Sequence, residues 1–322
     1  MNAERADVPD GVVGSGARKV WAARWPSVPM RLSTWWLRRA DRALTLDEAL
    51  RRRDEAQARG GAPPPRSTLR RCRVDMEQWG GLPVYTVTVR GRTYPARTVI
   101  FLHGGGFTTP LQPQQWMLVS ALARNGDVRV LVPTYALAPS GTHPEALGRM
   151  LQLYRRVLED CDAADVMLAG ESSGGGMAYA LAQAIRDGGI AAPANLLLFS
   201  PWLDLELDNP EIKDVAGKDP ILDVEVLRHL GREWTASAGR CGVGASPIDG
   251  DLLGLPPVDV FIGTNEVFIA DCRRLSELAR RLDVDVRVHE YRGGFHAFMY
   301  LSWLPETWHV MRIVRRRLRQ AQ

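Results

Sequence analysis

Gly170-Glu171-Ser172-Ser173-Gly174 constrains this chain more than any other stretch. Val166, Met167, Leu168 and Ala169 precede it as an apolar run of strand length. Gly174 to Ala184 follow it with small residues in a helix-like pattern. A strand that enters a helix through Gly-x-Ser-x-Gly has the pattern of a nucleophile elbow. The glycines have a steric reason, because side chains two before and two after the serine would collide within so tight a turn. The turn also strains the serine backbone and lifts its oxygen to the start of the helix, where the dipole favours negative charge. Alone, the pentapeptide fits a plain strand-to-helix turn equally well.

A second stretch tips the balance. Val99-Ile100-Phe101-Leu102 reads as a strand and runs into His103-Gly104-Gly105-Gly106-Phe107. An HGGG-type loop after the third strand supplies backbone N–H groups for the other half of an oxyanion hole. A serine hydroxyl needs a base, and the base needs an orienting carboxylate. In folds with this elbow the chain order is serine, acid, histidine. The later histidines are His229, His289, His296 and His309. His229 falls in an insertion, His289 inside a strand and His309 in the last helix. His296 follows the final strand in a Gly-rich loop, where open α/β sheets gather their active-site residues. Glu266 is the first carboxylate past the preceding strand, Phe261-Ile262-Gly263. Asp271, five residues on, is the rival, with a helix cap as its plainer role.

The rest of the chain alternates strand and helix from Thr98 onward, which predicts a mostly parallel sheet flanked by helices. Leu69–Met76 and Leu82–Val89 read as strands joined around Gly80-Gly81. Residues 1–66 form an N-terminal segment whose Ala17–Gly60 part has helical periodicity, ending in a Gly/Pro linker at 60–65. Residues 67–322 form the main domain, with an insertion at about 203–250 that lacks strand patterns. The tryptophans and arginines near the N-terminus raise a membrane-surface helix. Asp41, Asp47, Glu48, Asp54 and Glu55 favour the alternative, an amphipathic element folded over the body.

Composition excludes more than it selects. The net charge is +4, with acidic residues interspersed among the basic ones, so no nucleic-acid footprint emerges. Cys72, Cys161, Cys241 and Cys272 form no metal or disulfide spacing and read as reduced thiols of a cytoplasmic protein. No signal-peptide pattern opens the chain. No apolar run approaches the roughly 20 residues of a bilayer span, so no integral membrane association is expected. Metal and cofactor are not required.

Taken together, HGGGF at 103–107, Tyr135-Ala136-Leu137-Ala138-Pro139, GESSGG at 170–175, Ser200-Pro201-Trp202-Leu203-Asp204, Asp219-Pro220, Gly254-Leu255-Pro256-Pro257 and Gly294-Phe295-His296 resemble the hormone-sensitive-lipase branch of the α/β-hydrolases. The resemblance implies an α/β-hydrolase fold with a helical cap from the N-terminus and an insertion after the sixth strand. It implies Ser172 as nucleophile, His296 as base and Glu266 as acid. The amides of Gly105, Gly106 and Ser173 would form the oxyanion hole, braced by His103 and Gly104. Phe107 and Trp202 would shape a small acyl pocket. Three positions depart from the family pattern. Glu171 stands where aspartate is usual. Thr264-Asn265-Glu266-Val267 replaces an Asp-Pro acid, and residues 135–140 lack the usual arginine and glutamate.

The implied activity is a serine carboxylesterase or acetylhydrolase acting on short-chain acyl esters. The alternative is a deacetylase of an N- or O-acetylated secondary-metabolite intermediate. A non-catalytic ligand-binding member is disfavoured because the histidine is in place, and an interfacial lipase because Glu206–Lys218 is charged. The expected partners are a small-molecule acyl ester or acetylated substrate, with a homodimer as an open assembly state.

Overall fold

The computed structural model describes residues 18–21, 25–40, 45–92, 97–236 and 245–320. The readings of Asp41 and Cys241 fall outside them. Nine strands form one sheet in the order β1-β9-β8-β7-β6-β4-β5-β3-β2. They are β1 (Arg18–Trp21), β2 (Cys72–Trp79), β3 (Leu82–Val89), β4 (Thr98–Leu102), β5 (Arg129–Pro133), β6 (Val166–Glu171), β7 (Asn195–Phe199), β8 (Val258–Gly263) and β9 (Val286–Tyr291). β2 and β3 pair antiparallel, as do β3 and β5; the other pairs are parallel. Gly80 and Gly81, with φ of 59° and 82°, turn the β2–β3 hairpin. That is the left-handed pair a two-residue hairpin demands.

The central strands are continuous apolar runs because helices cover both faces. Side chains alternate across the sheet and divide the core in two. Ile100, Leu102, Leu168, Leu196 and Leu198 face one cluster, with the helices α5 (His143–Val157), α6 (Ser173–Asp187) and α9 (Ile269–Leu282). Val99, Phe101, Met167, Leu197 and Phe199 face the other, with α4 (Gln115–Gly126) and α10 (Pro305–Gln320).

Four expectations change. Arg18–Trp21 is a strand rather than part of a helix, since it extends the sheet edge parallel to β9. Counting it makes the strand before the insertion the seventh. Residues Arg66–Leu69 form a short helix, α3, and β2 starts only at Cys72. The helix α1 (Val28–Arg39) buries Met30 and Thr34 but leaves Leu32, Trp35 and Trp36 in solvent. Its inner face sits against the Gly293 turn, where Met30 packs and Thr34 Oγ1 donates to Gly293 O at 2.8 Å.

The insertion after β7 carries α7 (Ile212–Ala216) and α8 (Val224–Thr235). Against α8 lies α2 (Leu46–Arg59), joined to it by Arg53 Nη1–Glu233 Oε2 at 2.6 Å. Gln57 ties α2 to the body by donating to the carbonyls of Thr108 and Ala138. Both helices stand over the carboxyl ends of the parallel strands.

Candidate active site

Ser172 occupies the turn from β6 into α6 with φ 55° and ψ −125°, a region that a non-glycine residue enters only under strain. Its N–H donates to Phe199 O at 2.9 Å, and its carbonyl accepts from Trp202 N at 3.0 Å, so the turn is fixed from both sides. A Cβ on Gly174 would overlap the carbonyl oxygens of Leu102 and His103, and one on Gly170 would overlap Gly174. The elbow is therefore wedged between the chain and the end of β4.

Glu266 lies in the loop between β8 and α9, and His296 in the loop after β9. His296 Nδ1 is 2.8 Å from Glu266 Oε2, and His296 Nε2 is 3.1 Å from Ser172 Oγ. All three side chains are buried. A carboxylate can only accept, so Nδ1 carries the proton and Nε2 is free to accept from the serine hydroxyl. Burial alone would lower the His296 pKa. The hydrogen bond and charge of Glu266, then the charges of Glu171 and Asp219, outweigh it, and the net direction is upward.

The glycine loop faces the same hydroxyl. Gly105 and Gly106 have φ of 119° and 62°. Their N–H groups, with that of Ser173 at the start of α6, donate to no other group among the described residues. His103 sits behind the loop, stacked on Tyr135 at 4.6 Å, and its Nδ1 donates to Gly104 O at 2.8 Å. Burial lowers its pKa to about 4, so it is neutral and holds the loop without titrating near neutrality.

Three supporting side chains escaped sequence reasoning. Ser200 Oγ donates to Glu266 Oε1 at 2.9 Å and accepts from Ala297 N at 3.2 Å, joining the acid loop to the histidine loop. Asp219 of the insertion accepts from Val267 N at 2.9 Å. Burial raises its carboxyl to about 6. Glu171 Oε1 is 3.6 Å from His296 Nε2, and its other oxygen accepts from Gln115 Nε2 at 3.2 Å. Burial also raises the Glu171 pKa. The motifs Ser200-Pro201-Trp202 and Asp219-Pro220 were the signals available for the first two.

Phe107 and Trp202 do not line the cavity over Ser172. Phe107 has φ 61°, and its ring stacks on Trp234 at 4.6 Å. Trp202 stacks on Phe268, and its Nε1 donates to Asp204 O at 2.6 Å. Both rings are spent on core packing, which corrects their reading as acyl-pocket walls. The lining instead combines apolar Leu222, Val226, Leu227 and Leu230 with polar Thr109, Gln112, Gln114 and Gln115 and with Arg52, Arg53, Glu55 and Arg59 of α2, around about 710 Å³. That volume suits a small molecule. Among the described residues no cluster of His, Cys, Asp or Glu is arranged to hold a metal ion.

Asp271 lies in α9. Its Oδ1 accepts from Asn209, its Oδ2 has no hydrogen-bond partner, and burial raises its pKa to about 7. The folded state thus holds this proton up to about pH 7, while the unfolded chain releases it near the ordinary aspartate value of about 4. Its stabilising contribution is complete below the lower value and lost as pH rises through the upper one. Asp271→Asn is therefore expected to gain stability over the wild type as pH rises from about 4 to about 8, with ester turnover unchanged. Urea unfolding across that range, beside a turnover assay, checks both.

Residues 99–300 match the family model of the alpha/beta hydrolase fold. An acetyl-hydrolase of Streptomyces hygroscopicus is 34% identical, over 68% of this chain and 74% of that protein. An esterase of Acinetobacter venetianus is 29% identical, over 70% and 77%. A crystal structure of an esterase from the bacterial hormone-sensitive lipase family superposes with a TM-score of 0.78 at 25% identity, covering 92% of this chain and 99% of the other. The chain therefore belongs to the α/β-hydrolase family, on its hormone-sensitive-lipase branch, and is a carboxylic ester hydrolase.

Proposed function

We propose that the chain hydrolyses short-chain acyl esters through an acyl-enzyme on Ser172, with His296 as base and Glu266 as the orienting acid. The observation that carries this is the buried relay of 3.1 Å and 2.8 Å from hydroxyl to imidazole to carboxylate. Ser172 Oγ attacks the ester carbonyl while Nε2 takes its proton. The amides of Gly105, Gly106 and Ser173 receive the oxyanion. Loss of one such donor typically lowers kcat by about 10²- to 10³-fold. The imidazolium then returns the proton to the departing alcohol, and water, activated by the same nitrogen, releases the acid.

Short acyl groups are favoured by Leu230. Its Cδ1 lies 2.9 Å from where a side chain on Gly106 would begin, closing the cavity beside the donor amides. The glutamines of the lining suit a hydroxylated leaving group better than a long alkyl alcohol. A p-nitrophenyl ester series is expected to peak in kcat/KM at acetate or butyrate and to fall by about tenfold or more at octanoate. A peak at octanoate or laurate would overturn the short-chain reading.

Deacetylation of an acetylated amine or alcohol is the second reading, favoured by the polar residues of the lining and by the Streptomyces acetyl-hydrolase. Comparing an acetate ester with the matching N-acetyl amine separates the two. A purely ligand-binding role predicts no labelling of Ser172 by a fluorophosphonate, whereas the relay predicts stoichiometric labelling.

A further inference from the structure

α1 turns its large apolar side chains outward. Val28, Leu32, Trp35 and Trp36 follow one another at helical spacing on one face, each more than half exposed. The helix contains no acidic residue and ends in Arg38 and Arg39, with the Arg39 guanidinium 4.5 Å above the Trp35 ring. A monomer seldom leaves so much aromatic surface in water without a partner for it.

A second helix repeats the pattern of the first. α10 exposes Trp308, Arg312, Arg315 and Arg319 at intervals of four, three and four residues. Its one carboxylate, Glu306, is buried and accepts from Ser27 N and Ser27 Oγ, each at 2.8 Å. This tie brings the starts of α1 and α10 together, and with them the exposed Trp25 and Trp303. Beside α10 runs a groove of about 490 Å³, with Met117, Met299 and Met311 along it and Arg124, Arg312 and Arg315 among its lining. No carboxylate lines it, and none of these three arginines has an ion-pair partner among the described residues.

Indole rings, an apolar groove and arginines without ion pairs, on two helices joined at their starts, match an anionic bilayer surface: aromatics at the headgroup level, apolar side chains toward the acyl region, arginines on the phosphates. Of the acidic residues that argue against this in the sequence, Asp47, Glu48, Asp54 and Glu55 belong to α2, a separate helix over the catalytic cavity, and Asp41 lies outside the described residues. We propose that α1 and α10 form a peripheral docking surface for an anionic phospholipid bilayer. α1 also holds the loop that carries His296, because Thr34 Oγ1 donates to Gly293 O at 2.8 Å.

Co-sedimentation of the full chain with vesicles tests this. Binding to mixed phosphatidylglycerol–phosphatidylcholine vesicles is expected to exceed binding to pure phosphatidylcholine by about tenfold and to weaken in high salt. Trp35→Ser/Trp36→Ser and Arg312→Glu/Arg315→Glu should each weaken it about tenfold, with turnover of soluble p-nitrophenyl acetate unchanged as proof of folding. Arg280→Glu/Arg281→Glu on α9, an equal change of charge elsewhere, should bind like the wild type. Failure of the wild type to bind, or equal weakening by the α9 variant, overturns the proposal. So does a dimer in sedimentation equilibrium that the tryptophan substitutions dissociate, which would give the face to a second copy of the chain.

Discussion

Ser172→Ala is expected to fold as the wild type does and to lose about 10⁶-fold in kcat on p-nitrophenyl acetate. The fold is expected to survive because the turn is held by main-chain bonds from Phe199 and Trp202, which a methyl side chain leaves untouched. Alanine bears the same positive φ as serine, so the strain is neither added nor released. The neighbouring hydroxyl cannot substitute, since Ser173 Oγ is already engaged by Phe107 N at 3.2 Å. What remains should be the slow background that free donor amides and binding give without a nucleophile. Fluorophosphonate labelling should vanish in parallel. A variant that keeps the wild-type rate, with its thermal midpoint unchanged, would remove Ser172 from the chemistry and with it the whole proposed relay.

The elbow, the glycine loop and the histidine loop were legible in the sequence because each is a local motif whose glycines answer to sterics a few residues away. Glu266 stood ahead of Asp271 only as the first carboxylate beyond its strand, so the sequence left both open. Ser200 and Asp219 were not, because their roles exist only across the fold. Ser200 meets Glu266 at a separation of 66 residues, and Asp219 meets Val267 at 48. The period of α1 could be read, but its orientation could not. Hydrophobicity puts tryptophan inside, whereas the face against the Gly293 turn carries Met30 and Thr34. Phe107 and Trp202 misled for a related reason: closeness to a motif in sequence says nothing about which side of the loop a ring occupies. The four residues of β1 carry too little pattern to reveal a strand, which is defined only by its pairing with β9.

Glu266→Gln should lower kcat by about 10⁴-fold while preserving the position of every atom but one. Glu266 Oε1 accepts from Ser200 Oγ at 2.9 Å and from Gly263 N at 2.7 Å. A glutamine carbonyl satisfies both donors, so its amide nitrogen must point at His296 Nδ1. That nitrogen then has to accept, the ring proton moves to Nε2, and the imidazole faces Ser172 with a donor instead of a base. The pH profile should move as well. In the wild type, burial acts downward on the His296 pKa but the Glu266 bond and charge prevail, so activity is expected to rise with pH through a value above the ordinary imidazole range. Without that charge, burial is opposed only by Glu171 and Asp219, and the acid limb of whatever activity remains should shift to lower pH. Glu266→Asp keeps the charge but shortens the reach, and should therefore lower kcat while leaving the limb close to its wild-type position. A glutamine variant with more than about a tenth of wild-type kcat would show that tautomer control lies elsewhere, with Asp219, the insertion carboxylate that accepts from Val267 N on that loop, as the next acid to test.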